Sequence, residues 1–138
     1  MNIYYNQLDI KTRIEPYKGT MPEMDLHVND KVLYSGTLKS SMILNDSIGL
    51  LEKFNIRVAL KNKDYNNTPE TAIIVQSLCI DDFEIIPEWT HLVNYSNDHD
   101  YGDPTNHLGF NGEWVLEIPE PFYRWKHKVL NRGWLLEP

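Results

Sequence analysis

Residues 54–60 read Phe-Asn-Ile-Arg-Val-Ala-Leu, and this stretch decides the fold class. Every second position in it is a large apolar residue: Phe54, Ile56, Val58 and Leu60. Because successive side chains of a β-strand point to opposite faces, a period of two predicts a strand with one buried face and one solvated face. The same alternation recurs at 24–28 and at 114–118. Three separate half-buried strands indicate a sheet protein rather than a helical one.

The other candidate strands lie between clusters of turn residues. The pair Asn29-Asp30 follows 24–28 and predicts a hairpin. The run 72–86 begins apolar on both faces and suits a central, covered strand. Further candidate strands are 37–44, 122–125 and 134–136. Strongly amphipathic helices are absent, so the pattern predicts an all-β, antiparallel β-sandwich with less than about a tenth helix.

A length of 138 residues predicts one domain that spans 1–138. Residues 1–20 are mixed and polar, and we interpret them as an N-terminal arm or a first edge strand. Residues 111–138 form an aromatic C-terminal segment with three of the four tryptophans. Large aromatic side chains need somewhere to be buried, so this segment is expected to pack on the sandwich or on a neighbouring subunit.

The net charge and the cysteine content limit the class of binding partner and the cellular compartment in which the chain is expected to fold. The formal net charge of −7 argues against nucleic acid as a partner, since a polyanion is bound through a positive surface. The single cysteine, Cys79, excludes an internal disulfide and favours a cytosolic folding environment. No apolar run approaches the roughly 18 residues of a membrane span, and the first residues lack a secretory signal pattern. We therefore expect synthesis in the cytoplasm and no membrane insertion.

The loop 94–106 concentrates oxygen-bearing side chains. Asp98, Asp100 and Asp103 follow one another closely there, and Ca²⁺ takes oxygen ligands of this kind. The spacing is not that of an EF-hand, because the sixth position counted from Asp98 is Asp103 rather than glycine. A second loop offers Asp64 and Glu70 as alternative Ca²⁺ ligands. Asp and Asn are also ordinary turn formers, so a solvated loop without a metal is the alternative.

Aromatic side chains flank both of these loops: Tyr65, Trp89, Tyr95 and Tyr101. Sugar rings stack their C–H faces on aromatic planes, while Asn and Asp side chains satisfy sugar hydroxyls. The combination predicts a glycan-binding surface at these four residues. Packing of the same rings against the ends of the sandwich is the alternative.

The C-terminal segment adds basic residues to its tryptophans. The candidate interface residues are Trp125, Trp134, Arg124 and Arg132, which concentrate positive charge on an otherwise acidic chain. An aromatic centre with a charged rim is typical of a subunit contact. Internal packing of the tryptophans, with the basic residues solvated, is the alternative.

No motif of a known catalytic mechanism accompanies these loops. His91, His99 and His107 recur every eight residues, and no Ser or Cys lies in a nucleophile motif. Asp81 and Asp82 are adjacent after a strand, and adjacent strand positions point to opposite faces, which argues against a hydrolytic pair. We therefore expect a binding or assembly protein and not an enzyme.

The segment 54–85 resembles calcium-dependent xylan-binding modules, a family of carbohydrate-binding modules. Three pieces carry the likeness: the strand Phe-Asn-Ile-Arg-Val-Ala-Leu, the loop Lys-Asn-Lys-Asp-Tyr, and the strand Ile-Ile-Val-Gln-Ser-Leu-Cys-Ile-Asp-Asp-Phe-Glu-Ile. The hairpin at 22–30 resembles their opening strands. The resemblance implies a jelly-roll-like β-sandwich in which loop carboxylates hold Ca²⁺ and the ion helps to hold a sugar diol. Lys63 here separates Asn62 from Asp64, which the family has adjacent, so the fold transfers more readily than the calcium site.

Three later segments resemble small uncharacterised proteins of tailed bacteriophages: Gly-Phe-Asn-Gly-Glu-Trp-Val-Leu-Glu-Ile at 109–118, Pro-Phe-Tyr-Arg-Trp-Lys-His at 121–127 and Gly-Trp-Leu-Leu at 133–136. This resemblance implies an accessory protein of the virion, which decorates the capsid or attaches to tail or fibre. Its expected partners are other virion proteins, copies of itself and a surface glycan. A free Ca²⁺-dependent carbohydrate-binding module and a small non-structural regulator are the alternatives.

Overall fold

The computed structural model describes residues 5–15, 21–38, 40–49, 52–64, 66 and 71–130. It is an antiparallel β-sandwich of two five-stranded sheets with one short α-helix, which confirms the predicted fold class. In chain order the strands are β1 (Tyr5–Glu15), β2 (Glu23–Val28), β3 (Lys31–Thr37), β4 (Met42–Gly49), β5 (Phe54–Leu60), β6 (Ala72–Ile80), β7 (Phe83–Ile86), β8 (Asn94–Asn97), β9 (His107–Leu108) and β10 (Gly112–Ile118). The helix α1 spans Phe122–Val129.

Each sheet combines one hairpin of consecutive strands, β6-β7 or β2-β3, with strands that are distant in sequence. One sheet has the order β4-β1-β6-β7, with β9 also pairing with β6, and the other has the order β3-β2-β5-β10-β8. All the recorded pairings are antiparallel. The core between them contains the apolar residues that alternate along β5, and Trp114 of β10, which is fully buried there. The burial of Trp114 confirms the prediction for this tryptophan.

The expected N-terminal arm is, from Tyr5 onward, an internal strand. β1 pairs with β4 along one edge and with β6 along the other, so it is not an edge strand either. Its alternation is hard to recognise because two polar residues, Asn6 and Thr12, occupy buried positions. The arm interpretation is therefore corrected for the part of 1–20 that the structure describes.

The predicted strand at 122–125 is the beginning of α1. Phe122 and Trp125 are buried and Val129 packs against the core, so the inward residues recur at three and four positions, which is a helical period. Pro121 precedes the first helical residue, a place where a missing N–H costs nothing. The candidate strand 134–136 lies outside the described residues. No helix in the described part of the chain is long and apolar enough to cross a membrane.

The register of the central strands defines two ends of the sandwich. Leu60 of β5 lies opposite Gly112 of β10, whereas Phe54 lies opposite Ile118. The turn at Asn29 reaches the Phe54 end, because Val28 pairs with Ile56. The segment after β5 and the loops before β10 therefore meet at the Leu60 end.

Candidate functional site

A cavity of about 420 Å³ lies at the Leu60 end of the sandwich. Lys63, three residues after β5, contributes one part of its wall. Tyr101 and Thr105 contribute from the β8–β9 loop, and His107, Gly109 and Phe110 contribute from β9 and the turn into β10. Tyr95 of β8 completes the described lining of the cavity. The cavity is thus formed by three chain segments that only the sandwich brings together.

Two core residues fix the cavity wall by hydrogen bonds. The buried Tyr95 donates its hydroxyl proton to the carbonyl oxygen of Phe110 and accepts the Phe110 amide proton at 2.9 Å. The indole N–H of Trp114 donates to the carbonyl oxygen of Thr105 at 2.7 Å. Both donors belong to strands of the sandwich, so the loop backbone at the cavity is tied to the rigid part of the molecule.

The β8–β9 loop is organised by the side chain of Asn97. Its Oδ1 accepts the backbone protons of His99 and Tyr101, each at 3.0 Å, and its Nδ2 donates to the carbonyl oxygen of Tyr101 at 2.8 Å. The ring of His99 stacks on Phe110 with centroids 4.5 Å apart, and the ring of Tyr101 lies 6.0 Å from Phe110. An aromatic cluster of His99, Tyr101 and Phe110 therefore stands beside the cavity.

Hydrogen bonds hold both the backbone and the side-chain end of Lys63 in place. Its amide donates to Oδ1 of Asn111 at 2.8 Å, and Nδ2 of Asn111 donates back to the Lys63 carbonyl oxygen at 2.9 Å. Its ammonium donates to the carbonyl oxygen of Gly109 and lies 5.9 Å from the centre of the Phe110 ring. Burial lowers the pKa of Lys63, because desolvation disfavours the charged form.

The four aromatic residues that were predicted to bind a glycan lie in different environments. Tyr101 lines the cavity with 41% of its surface exposed, so its ring is available to a ligand. Tyr95 reaches the cavity, but it is 5% exposed, and we correct its assignment from a stacking platform to a structural support. Trp89 is half-buried against the core near His91 and lines neither described cavity. Tyr65 lies outside the described residues.

The predicted calcium ligands do not assemble into a carboxylate cluster in the described part of the chain. There, no group of three or more Asp, Glu, His or Cys side chains is arranged to hold a metal ion. Asp98 instead pairs with His99 at 2.9 Å, and Asp100 occupies a left-handed turn position with φ of 54°. Asp103 is exposed, and Asp64 accepts the Asn66 amide proton at 3.0 Å. Glu70 lies outside the described residues, so calcium binding that involves Glu70 stays a prediction.

The predicted interface residues are placed only in part. Trp125 is 6% exposed and belongs to the core of its own chain, so its assignment as an interface anchor is corrected to internal packing. Arg124 is exposed on α1 and lies 3.6 Å from Glu120. Trp134 and Arg132 lie outside the described residues.

Sequence patterns did not identify several residues that line the cavity: Lys63, Thr105, His107, Gly109 and Phe110. One signal was available for Phe110, an aromatic residue in the turn-forming run Gly-Phe-Asn-Gly, where no strand is present to bury it. Lys63 carried no signal, since its partner Asn111 is distant in sequence.

A second hollow, of about 260 Å³, lies at the opposite end of the sandwich. Its lining includes Asn29, Lys53, Asn55 and Glu117. The single aromatic residue among its described walls, Phe54, is only 3% exposed and offers no open ring face. The cavity at Tyr101 is therefore the better candidate for a ligand that stacks.

Comparison with known proteins gives a fold and no family. No protein-family model and no curated protein matches the chain. Among solved structures, the chain is similar to the selenomethionine form of vCBM60, described in a study of circular permutation between two families of calcium-dependent carbohydrate-binding modules; the TM-score is 0.56, the identity 17%, and the match covers 82% of this chain and 92% of that one. It is also similar to vCBM60 in complex with galactobiose, with a TM-score of 0.54, 12% identity and coverage of 80% and 97%. At these identities the likeness shows that the chain has the sandwich fold of those carbohydrate-binding modules.

Proposed function

We propose that this protein is a non-catalytic glycan-binding β-sandwich whose ligand sits in the cavity at Tyr101. The observation that carries the proposal is the exposed ring of Tyr101 at the mouth of a cavity of about 420 Å³. A sugar ring needs an aromatic plane to stack on and polar groups to meet its hydroxyls. Thr105 and His107 supply such polar groups in the same walls.

The fold neighbours support the same class of function. They are carbohydrate-binding modules, and one of them is recorded with a disaccharide. Since a shared fold does not establish a shared function, the proposal rests on the cavity and takes from the neighbours only the class of ligand to test.

The test is binding of the intact protein to a panel of plant, microbial and host oligosaccharides, measured on an array and then by calorimetry. Tyr101→Ala is expected to weaken binding about tenfold or more, because it removes the stacking plane. Tyr123→Ala is the matched control, since Tyr123 is 53% exposed on α1 and does not line the cavity. Equal losses in both variants, or no bound sugar on the panel, would remove the proposal.

Calcium dependence is a separate part of the proposal. Its support is the Asp-rich β8–β9 loop together with the similarity in fold to calcium-dependent carbohydrate-binding modules. The observation against it is that no carboxylate cluster is preassembled in the described ranges. Binding to the native state raises the melting temperature with ligand concentration. Millimolar Ca²⁺ should raise it in the wild type and not in the Asp98→Asn, Asp100→Asn, Asp103→Asn triple variant. A melting temperature that changes with neither Ca²⁺ nor chelator would exclude calcium binding.

The biological setting is proposed from sequence alone. Its support is the resemblance of 109–118, 121–127 and 133–136 to tailed-bacteriophage proteins, which implies an accessory part of the virion. Mass spectrometry of purified virions from a host that makes this protein tests the idea. Detection in stoichiometric amounts supports a virion part, whereas recovery only from the soluble fraction supports a free carbohydrate-binding module.

A further inference from the structure

The cavity at Tyr101 differs in charge from the chain that carries it. The protein has a formal net charge of −7. Yet the described residues that line the cavity include one lysine and one histidine, and neither Asp nor Glu is among them. A cavity on an acidic protein whose described lining contains a lysine and no carboxylate suits a ligand with negative charge.

The cation in this cavity is fixed rather than mobile. The reciprocal hydrogen bonds between Lys63 and Asn111 hold the backbone, and the bond from the ammonium to the Gly109 carbonyl oxygen holds the side-chain end. The ammonium is therefore already positioned before a ligand arrives, and little further ordering has to accompany binding. The Lys63 charge is also partly withdrawn from water, as the direction of its pKa shift indicates.

Carboxylates of the protein stand nearby but outside the cavity. Asp98 is paired with His99 at 2.9 Å, and Asp100 and Asp103 are exposed on the adjoining loop. Their field repels an anion at a distance, but at physiological ionic strength such fields decay within about 8 Å. Contacts inside the cavity, where screening is weaker, then decide which ligand is preferred.

We propose that the cavity binds a sugar ring carrying a carboxylate, a hexuronate residue, with Lys63 receiving the carboxylate and Tyr101 stacking on the ring. The proposal rests on the proposed function and specifies its ligand class. A hexuronate presents the C–H face that Tyr101 needs and the anionic group that Lys63 suits on the same ring. Thr105 and His107 line the same cavity and carry polar groups for the remaining hydroxyls.

The test compares matched pairs of ligands on the wild-type protein. Oligomers of galacturonate, glucuronate and mannuronate are titrated by calorimetry beside their carboxyl-reduced counterparts, which keep stereochemistry and linkage and lose only the charge. At least one uronate is expected to bind about tenfold to a hundredfold more tightly than its reduced partner, the range for a hydrogen bond to a charged group.

Two variants locate the effect. Lys63→Met keeps the aliphatic stem and removes the charge, and it should abolish the preference for the uronate. Lys61→Met makes the same change two residues away, where the ammonium pairs with Asp25 at 2.9 Å and does not line the cavity. That control should retain the preference. Circular dichroism and melting curves verify that both variants are folded, and the ligand comparison on the wild type is independent of them.

The outcomes separate this inference from the proposed function. Binding of neutral sugars at Tyr101 with no preference for uronates would overturn the inference and leave glycan binding intact. No binding to any sugar would overturn both. A uronate preference that survives Lys63→Met would overturn the assignment of Lys63.

Discussion

The carbonyl oxygen of Ser96 lies 2.2 Å from the point where a Cβ at Gly112 would stand, and Cα of Asn97 lies 2.6 Å from it. These are backbone atoms of β8, the edge strand that leads into the loop with Tyr101. The absence of a side chain at Gly112 therefore lets β8 approach β10 closely enough to pair.

Gly112→Ala is expected to destabilise the fold by about 1–3 kcal/mol or more, because backbone must shift to admit the methyl group. Gly102→Ala is the matched control, since a Cβ there meets no atom within 4 Å. Chemical denaturation measures both free energies of unfolding. Similar values for the two variants would contradict the close approach of β8 to β10.

Tyr95→Phe should cost about 1–3 kcal/mol of stability, since it removes both hydrogen bonds between the Tyr95 hydroxyl and the Phe110 backbone. Sugar binding should weaken as well, because Phe110 is part of the cavity wall. Tyr123→Phe removes an exposed hydroxyl and should change neither quantity. Thermal unfolding and calorimetry measure the two effects, and an unaffected Tyr95→Phe variant would remove the supporting role of this hydroxyl.

Trp125→Ala should lower the free energy of unfolding by about 3–5 kcal/mol, because a large side chain is lost from the core. The measurement is urea denaturation of the purified chain. If the variant keeps wild-type stability and loses only self-association, Trp125 acts between subunits and the internal packing described here is wrong.

The lowered pKa of Asp25 leads us to expect a specific dependence of stability on pH. Hydrogen bonds from the Ser35 hydroxyl and then from Lys61 hold the pKa of Asp25 below its usual value of 3.8. The stabilisation is therefore complete above that value and is lost as the pH falls through the lowered pKa of the folded state. In Asp25→Asn, the free energy of unfolding should fall less steeply below about pH 4 than in the wild type. Ser35→Ala should show an intermediate slope, and identical slopes in all three proteins would refute the linkage.

The fold was predictable where the core is apolar at every second residue. β5 fulfils this condition along its whole length, so both the strand and the identity of its buried face were predicted correctly. β1 does not, because Asn6 and Thr12 are polar and yet buried; Asn6 donates to a carboxylate oxygen of Asp81, a contact that no local pattern reveals. In α1, aromatic residues favoured a strand, while their packing follows a helical period.

The site was less predictable than the fold because its parts are distant in the chain. Tyr101 was identified from its neighbourhood of Asp and Asn, which mark an exposed loop. Lys63 enters the cavity through its pairing with Asn111, and His99 meets Phe110 only after β8 and β10 have paired. Such contacts are tertiary, so the local pattern of a sequence does not reveal them.

The internal position of β1 has a consequence for how the chain is made. Tyr5 pairs with Gly49, and Leu8 pairs with Ile80, so both neighbours of this strand are synthesised after it. Until they emerge from the ribosome, its two rows of peptide groups have no intended partner, and unpaired strands of this kind invite aggregation. Topologies dominated by such distant pairings also fold slowly. β1 therefore leaves the ribosome before either of the strands that pair with it, and its edges are where a chaperone would act during that interval.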